Sequence, residues 1–250
     1  MPNLIHHPDK SWKVDSFEGF DNITKRIEEI SGGERILPIE SERSGIFYAL
    51  ELTPLDKVKV LIIGQDPYPN PERAQGLAFS FKNNSPADDS LRNMFIKLNE
   101  IDNYNYEKTD LTCWAKEGVL LLNTSLTFTN KDSTKVWTKF WKSFIDYILD
   151  RLIKEKQETG KPLVIMLWGR PANEIKQVSY KDDERFKNTN IKILRASHPS
   201  NNYQACKKAI FKNTEFEAHA FMDGGHNHFR ECNEFLVRNG ETPINWHTGE

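Results

Sequence analysis

The sequence predicts an α/β fold, in which a central four-stranded, mainly parallel sheet lies between two layers of helices. Four short apolar runs rich in Val, Ile and Leu lead to this prediction, and they occupy residues 58–63, 119–122, 163–167 and 191–194. Near-continuous apolar runs of this length are typical of strands that are buried on both faces of a parallel sheet. Helical patterns lie between the runs, and this alternation is typical of α/β proteins.

Two segments between the runs have the spacing of amphipathic helices. The shorter covers residues 90–98, and we expect Ser90 to be its N-cap, because a serine hydroxyl can accept from the free amides of a first turn. The longer carries apolar residues three and four positions apart on one face. These are Trp137, Phe140, Trp141, Phe144, Ile145, Ile148, Leu149, Leu152 and Ile153.

Polar residues follow the ends of the predicted strands. The first run stops at a glycine and gives way to Gln-Asp-Pro-Tyr-Pro at 65–69, and two prolines so close to the run exclude a long helix. The other runs lead into Asn123, Gly169 and His198. Ligands of open α/β sheets bind beyond the carboxyl ends of the strands, so we expect Asp66 to lie beside these residues. A well-made turn with a helix-capping aspartate is the alternative explanation of the first loop.

Short motifs occur in a fixed order along most of the chain. They lie at residues 52–60, 64–69, 75–80, 90–94, 118–127, 167–169, 198–200, 227–229 and 240–246, with Trp114 before the fifth. This ordered series resembles the uracil-DNA glycosylases of family 1. The resemblance implies the α/β/α fold of that family, and a hydrolase that flips uracil out of DNA and releases it for base excision repair.

The resemblance assigns catalysis to Asp66 and His198. Cleavage of the bond between a pyrimidine and its deoxyribose builds positive charge on the sugar and negative charge on the base. A carboxylate can stabilise the cationic sugar and orient a water molecule, and a neutral imidazole can donate a hydrogen bond to the base carbonyl. We expect no cofactor and no metal. Without the resemblance, a lone histidine after a strand is more often structural.

The candidate base-binding residues are Gln65, Tyr68, Phe79 and Asn123. The amide of Asn123 offers one acceptor and one donor, which complement N3–H and O4 of uracil, whereas cytosine reverses both groups. Phe79 would stack on the extruded base, and the resemblance places Tyr68 against C5, where it would exclude the methyl group of thymine. Taken alone, Asn123 would be a turn residue and Phe79 a core aromatic.

The loops that grip DNA in this family are altered here. The loop before the second predicted helix reads Ala87-Asp88-Asp89 where prolines are usual, and acidic groups repel phosphate. Arg170 stands where a serine is usual, and a guanidinium favours phosphate. The expected leucine wedge is replaced by Asn-Asn-Tyr at 201–203. The candidate DNA-binding residues are Ser90, Gly169, Arg170, Ser200, Asn202 and Tyr203.

These departures leave open which base is the substrate and which residues contact DNA. The segment 204–225 is longer than the family usually has, and its interleaved lysines and phenylalanines suit single strands or a replacement wedge, or simply a helix with one core face. A glycosylase for a bulky modified pyrimidine of phage DNA, acting in antiviral defence, is therefore one alternative. A catalytically inactive DNA-binding module is another, although retention of Asp66, Asn123 and His198 argues against it.

Composition limits the remaining choices. The 250 residues carry a formal net charge of -2, so any DNA affinity must come from a local cationic surface, with Arg170, Lys207, Lys208 and Lys212 as candidates. We expect a single domain over residues 1–250, and a monomer. The chain has 3 cysteines, no signal-like start and no long apolar run, which favours a cytoplasmic, reducing location without membrane attachment. A cluster of His and Cys at 206–232 has no common zinc spacing.

Overall fold

A computed structural model describes residues 4–103, 106–130, 134–175, 178, 186, 190–200 and 219–249. The predicted sheet is confirmed, and its strands are β1 (Val60–Gly64), β2 (Val119–Asn123), β3 (Leu163–Trp168) and β4 (Ile191–Ala196). The strand order is β2-β1-β3-β4, and each neighbouring pair is parallel. These four strands therefore form a wholly parallel sheet, with β1 and β3 at its centre.

Helices lie on both faces of this sheet. Successive residues of a strand point to opposite faces, yet every residue of β2 and β3 is buried, so both faces are covered and the three-layer prediction is confirmed. The helices of the described residues are α1 (Ile23–Ser31), α2 (Tyr48–Leu52), α3 (Asp89–Asp102), α4 (Thr112–Lys116), α5 (Thr134–Thr159), α6 (Gly169–Asn173) and α7 (His228–Arg238).

The long helix α5 anchors the chain just beyond β2. Its predicted apolar face is confirmed, with Trp137 and Trp141 fully buried. The indole N–H of Trp141 donates to Oγ1 of Thr127 (2.7 Å), and that of Trp137 donates to Oγ1 of Thr129 (3.1 Å). Buried indoles usually need such a partner. The segment that follows Asn123 is thereby fixed to the core.

The N-cap of α3 is Asp88, so the prediction that Ser90 caps this helix is wrong. The Asp88 carboxylate accepts from the backbone N–H of Leu91 at 2.9 Å, whereas Ser90 is buried within the first turn. An aspartate two residues earlier offers a charged acceptor at the helix N-terminus, where the helix dipole also favours negative charge. The helix therefore starts one residue before Ser90, at Asp89.

Some sequence predictions fall outside the described residues. Asn202 and Tyr203 do so, as do the lysines proposed for the cationic surface at 207, 208 and 212. Within the described ranges, no helix has the length and apolarity that a membrane span requires.

Candidate active site

The carboxyl ends of the four strands lie at one edge of the sheet, where β2 ends at Asn123 and the segments that carry Asp66, Gly169 and His198 begin. Gly64 at the end of β1 is in register with Asn123 at the end of β2, and Trp168 of β3 is in register with Ala196 of β4. Because β2 and β3 lie on opposite sides of β1, the chain reverses direction across the sheet here. This is the switch point at which α/β sheets open a ligand crevice.

The end of β1 lies very close to the side chain of Asn123. The side chain is 4% exposed, and a Cβ added to Gly64 would lie 2.2 Å from Oδ1 of Asn123 and 2.8 Å from Cβ of Ala78. Only glycine therefore fits at the end of β1 beside this amide. Among the described residues the Asn123 amide makes no hydrogen bond, so its donor and acceptor are available to a ligand.

The loop that carries Asp66 is tied to the loop after β2. The carbonyl of Gly64 accepts from the backbone N–H of Thr124 (3.0 Å), and the carbonyl of Gln65 accepts from the N–H of Ser125 (2.8 Å) and from Oγ1 of Thr124 (2.9 Å). Asp66 follows directly and is half-buried, while the Gln65 side chain is exposed. These bonds keep the carboxylate loop beside Asn123.

His198 has a fixed tautomer. Its Nδ1 lies 3.2 Å from the backbone N–H of Ser200 and 2.8 Å from the Ser200 hydroxyl. A backbone N–H can only donate, so Nδ1 is the acceptor and the neutral ring carries its proton on Nε2. Burial lowers the pKa of His198, against a smaller opposite effect of the Asp88 charge. The imidazole is therefore suited to donate a hydrogen bond from Nε2 while neutral.

Phe79 lies against His198 and Trp168. Its ring centroid is 5.8 Å from that of His198 and 5.7 Å from that of Trp168. Its backbone has a φ of 66°, a left-handed conformation that is rare for a bulky residue and is often found where function requires it. Gly169 also packs against His198, since an added Cβ would lie 3.1 Å from Cβ of His198. Aromatic and imidazole rings thus form one wall of the site.

Tyr68 is hydrogen-bonded to Asp88, an acidic residue for which the sequence indicated only repulsion of DNA phosphates. The phenol donates to Oδ2 of Asp88 at 3.0 Å, and the ring packs edge-on against Phe81 with centroids 4.7 Å apart. Burial raises the pKa of the phenol, and the Asp88 charge adds to the rise. A phenol therefore stays protonated beside a carboxylate at the N-terminus of α3.

The predicted DNA-contacting residues have mixed surroundings. Ser90 is buried, and the exposed Arg170 donates from Nε to the Glu174 carboxylate at 2.6 Å, which raises the pKa of the guanidinium. Ser200 is exposed but its hydroxyl is bound to His198. Helix α3 supports this loop, since Nδ2 of Asn93 donates to the carbonyl of Pro199 at 2.6 Å.

Two cavities meet at this edge. The first, of about 580 Å³, contains His198, Trp168 and the Gly169 loop in its lining. The second, of about 680 Å³, shares Gln65 and Pro171 with the first. Its wall includes Lys135 and Lys139, which are exposed and make no ion pair with the described residues. No sequence motif singled out these two lysines.

The histidines near the C-terminal helix have structural partners. Nδ1 of His228 accepts from the indole N–H of Trp168 at 2.9 Å, and burial lowers the pKa of His228 to about 3, which keeps it neutral. His219 and His226 stack with ring centroids 3.5 Å apart. Within the described ranges, no three His, Cys, Asp or Glu side chains are grouped so that they could hold a metal ion.

Comparison with known proteins identifies the family of this chain. A family model described as "Uracil DNA glycosylase superfamily" matches residues 51–223. The uracil-DNA glycosylase of Lactococcus lactis subsp. cremoris is 38% identical over 231 residues, which cover 91% of each chain. That of Geobacillus thermodenitrificans is 39% identical over 202 residues, which cover 80% of this chain and 77% of that protein.

A solved structure shows the same fold. The crystal structure of mimivirus uracil-DNA glycosylase superposes with a TM-score of 0.72 at 23% identity, covering 96% of this chain and 87% of that chain. With the sequence similarity to the Lactococcus and Geobacillus proteins, this leaves one conclusion. The chain belongs to the uracil-DNA glycosylase superfamily.

Proposed function

We propose that this protein is a DNA glycosylase that hydrolyses the N-glycosidic bond of deoxyuridine in DNA and releases uracil. The proposal is supported above all by one observation. The Asp66 loop, Asn123 and His198 all lie at the carboxyl ends of strands, namely β1, β2 and β4. The curated relatives that match most of the chain are named uracil-DNA glycosylases. The product would be an abasic site for base excision repair.

The two proposed catalytic residues would stabilise opposite charges. As the C1′–N1 bond breaks, its electron pair moves to the base, and Nε2 of His198 donates a hydrogen bond to the base oxygen on which charge grows. The Asp66 carboxylate faces the cationic sugar, orients a water molecule toward C1′ and accepts its proton. Both developing charges have a protein partner, so the proposed reaction requires water and no cofactor.

The proposed uracil pocket uses the buried amide and the aromatic wall. Asn123 would pair with N3–H and O4 of the base, and a cytosine would leave polar groups unpaired at a cost of about 1–3 kcal/mol each. Phe79 would stack on the flipped base, Tyr68 would face C5, and Gln65 would border the opening. The strained backbone of Phe79 supports a functional role for its ring.

DNA would lie across the strand ends. We propose phosphate contacts at Ser90, Gly169, Arg170 and Ser200, and DNA contacts from Asn202 and Tyr203, which stand where the family has its leucine wedge. The second cavity would carry a flanking strand, because Lys135 and Lys139 provide the local cationic surface that a chain with a net charge of -2 needs.

The organisation of the protein follows from the same proposal. A substrate site formed by one sheet edge does not require a second subunit, so we propose that residues 1–250 act as a single domain and a monomer. The described cysteines, Cys113 and Cys232, form no disulfide, which supports a cytoplasmic location.

Base release from matched oligonucleotides tests the function. The oligonucleotides carry uracil, thymine, cytosine or a bulky modified cytosine, and alkaline cleavage reports abasic sites. We expect cleavage at uracil alone, and we expect Asp66→Asn to abolish it while DNA binding persists. Cleavage only at the modified base would show that the substrate is a modified pyrimidine. Binding of all four without cleavage would favour an inactive DNA-binding module.

A further inference from the structure

Asp88 joins three parts of the candidate site. One carboxylate oxygen, Oδ2, accepts from the Tyr68 phenol at 3.0 Å, and the other, Oδ1, accepts from the backbone N–H of Leu91 at 2.9 Å. The same charge is close enough to His198 to act on its pKa. The carboxylate therefore binds the residue proposed to face C5, acts electrostatically on the proposed electrophile, and is fixed to a helix N-terminus.

The carboxylate itself has little freedom. The helix-capping bond orients Oδ1. The backbone carbonyl of Asp88 also accepts from the backbone N–H of Arg92 at 2.9 Å, as the first turn of the helix closes. Helix α3 is in turn attached to the His198 loop by the bond from Asn93 to Pro199. The position of Oδ2 is thus set by α3 and not by the flexibility of a surface side chain.

The Tyr68 ring is consequently held at two places. The edge-on packing with Phe81, at 4.7 Å between centroids, fixes the body of the ring, and Oδ2 of Asp88 fixes the hydroxyl end. The partly buried phenol stays protonated, so it always has a hydrogen to donate, and a hydrogen bond to a charged acceptor is stronger than one between neutral groups.

A ring held at two places is a better steric filter than one held only by packing. A methyl group adds little volume, so a small displacement of Tyr68 would admit thymine. Asp88 stands in the loop whose prolines are usual in the family, and proline has no side-chain acceptor for the phenol. This chain therefore has a means of fixing the ring that a proline loop lacks.

We propose that Asp88 is a specificity-determining positioning residue, whose carboxylate locks the Tyr68 ring against C5 of the base and so excludes 5-substituted pyrimidines. This inference rests on the proposed function and on the proposed place of Tyr68. The competing explanation is that Asp88 is only a helix cap, with no influence on which base is accepted.

Substitutions of Asp88 that preserve the helix cap distinguish these two explanations. Serine caps helices as well as aspartate does, but its shorter side chain does not reach the phenol. Asp88→Ser therefore removes the hydrogen bond to Tyr68 and keeps the helix cap. Asp88→Asn keeps both the cap and a neutral partner for the phenol. Asp89→Ser is the matched control, because it removes the same charge from the same turn, and the Asp89 carboxylate binds Arg92 and not Tyr68.

The readout is selectivity by substituent size at C5. kcat/KM is measured on oligonucleotides with uracil, 5-fluorouracil, thymine and 5-hydroxymethyluracil, and inhibition by free thymine is compared with inhibition by free uracil. The ratio of the two inhibition constants reports whether the pocket accepts a 5-methyl group, even where thymine is not released from DNA. Thermal unfolding of each variant is followed beside these assays.

We expect Asp88→Ser to reduce the preference for uracil over thymine about 10-fold, as for the loss of one charge-assisted hydrogen bond. Asp88→Asn should fall between wild type and Asp88→Ser, and Asp89→Ser should keep the wild-type ratio. An unchanged ratio in Asp88→Ser, with uracil still released, would overturn the role of Asp88 and leave the proposed function intact. A wild-type protein that releases no base would instead refute the function on which the inference rests.

Discussion

At the scale of single residues, the protonation of His198 determines how it can act. Nδ1 accepts from the backbone N–H of Ser200 at 3.2 Å, so protonation of Nδ1 would set one donor against another. Burial also opposes the charged form and lowers the pKa of His198. The neutral ring should therefore persist to a more acidic pH than an ordinary histidine, whose pKa is about 6.5.

Nitrogen-15 NMR of the histidines tests this state directly. We expect His198 at neutral pH to show an unprotonated Nδ1 and a protonated Nε2, and to titrate below the usual histidine range. Because the folded pKa is lowered, this group costs stability as the pH falls below its unfolded value. Asp88→Asn should shift the titration further toward acid, since the charge that favours imidazolium is gone. A proton on Nδ1 at neutral pH would contradict the assignment.

At the scale of elements, the end of β1 positions the amide at the end of β2. The strand must stop at glycine here because an added Cβ would lie 2.2 Å from Oδ1 of Asn123. We expect Gly64→Ala to displace this amide and reduce uracil release by about 10-fold or more, while overpacking costs about 1–3 kcal/mol of unfolding free energy.

A glycine with open space around it provides the control for that substitution. A Cβ at Gly224 would meet nothing within 4 Å, so Gly224→Ala should leave activity and unfolding close to wild type. Rates from single-turnover assays and unfolding in urea distinguish the two effects. Full activity in Gly64→Ala would show that the Asn123 amide is not placed by β1.

Sequence patterns predicted the strand ends well because burial dictates them. Apolar runs and the polar residues after them determine which side chains reach the sheet edge, so Asp66, Asn123 and His198 could be expected together. Asp88 could not be recognised as the cap and partner of Tyr68, because that contact joins residues 20 positions apart through tertiary folding. The left-handed backbone of Phe79 likewise has no sequence signal comparable to a glycine.

At the scale of the whole molecule, a net charge of -2 requires that DNA affinity be local. Lys135 and Lys139 line the cavity that adjoins the His198 cavity, but on α5 their spacing is also that of any solvated helix face. Sequence alone could not place them beside Gln65 and Pro171, because that neighbourhood depends on how α5 and α6 pack.

Salt dependence of DNA binding tests this surface. We expect the double variant Lys135→Ala and Lys139→Ala to bind DNA more weakly, and the slope of log affinity against log salt to become shallower by about 1 for each lost phosphate contact. The control removes Lys25 and Lys154, which are exposed and pair with Glu29 and Glu158. Equal slopes for the two double variants would exclude a strand path through this cavity.

The most direct test of the central claim is the single-turnover rate of uracil release from a deoxyuridine oligonucleotide, with DNA affinity measured beside it. Asp66→Asn, Asn123→Ala and His198→Ala each change one strand end, and we predict that each slows release by about 100-fold or more. DNA affinity should change far less in all three variants. Wild-type release by any one of them would contradict the claim that these three strand ends form one catalytic site.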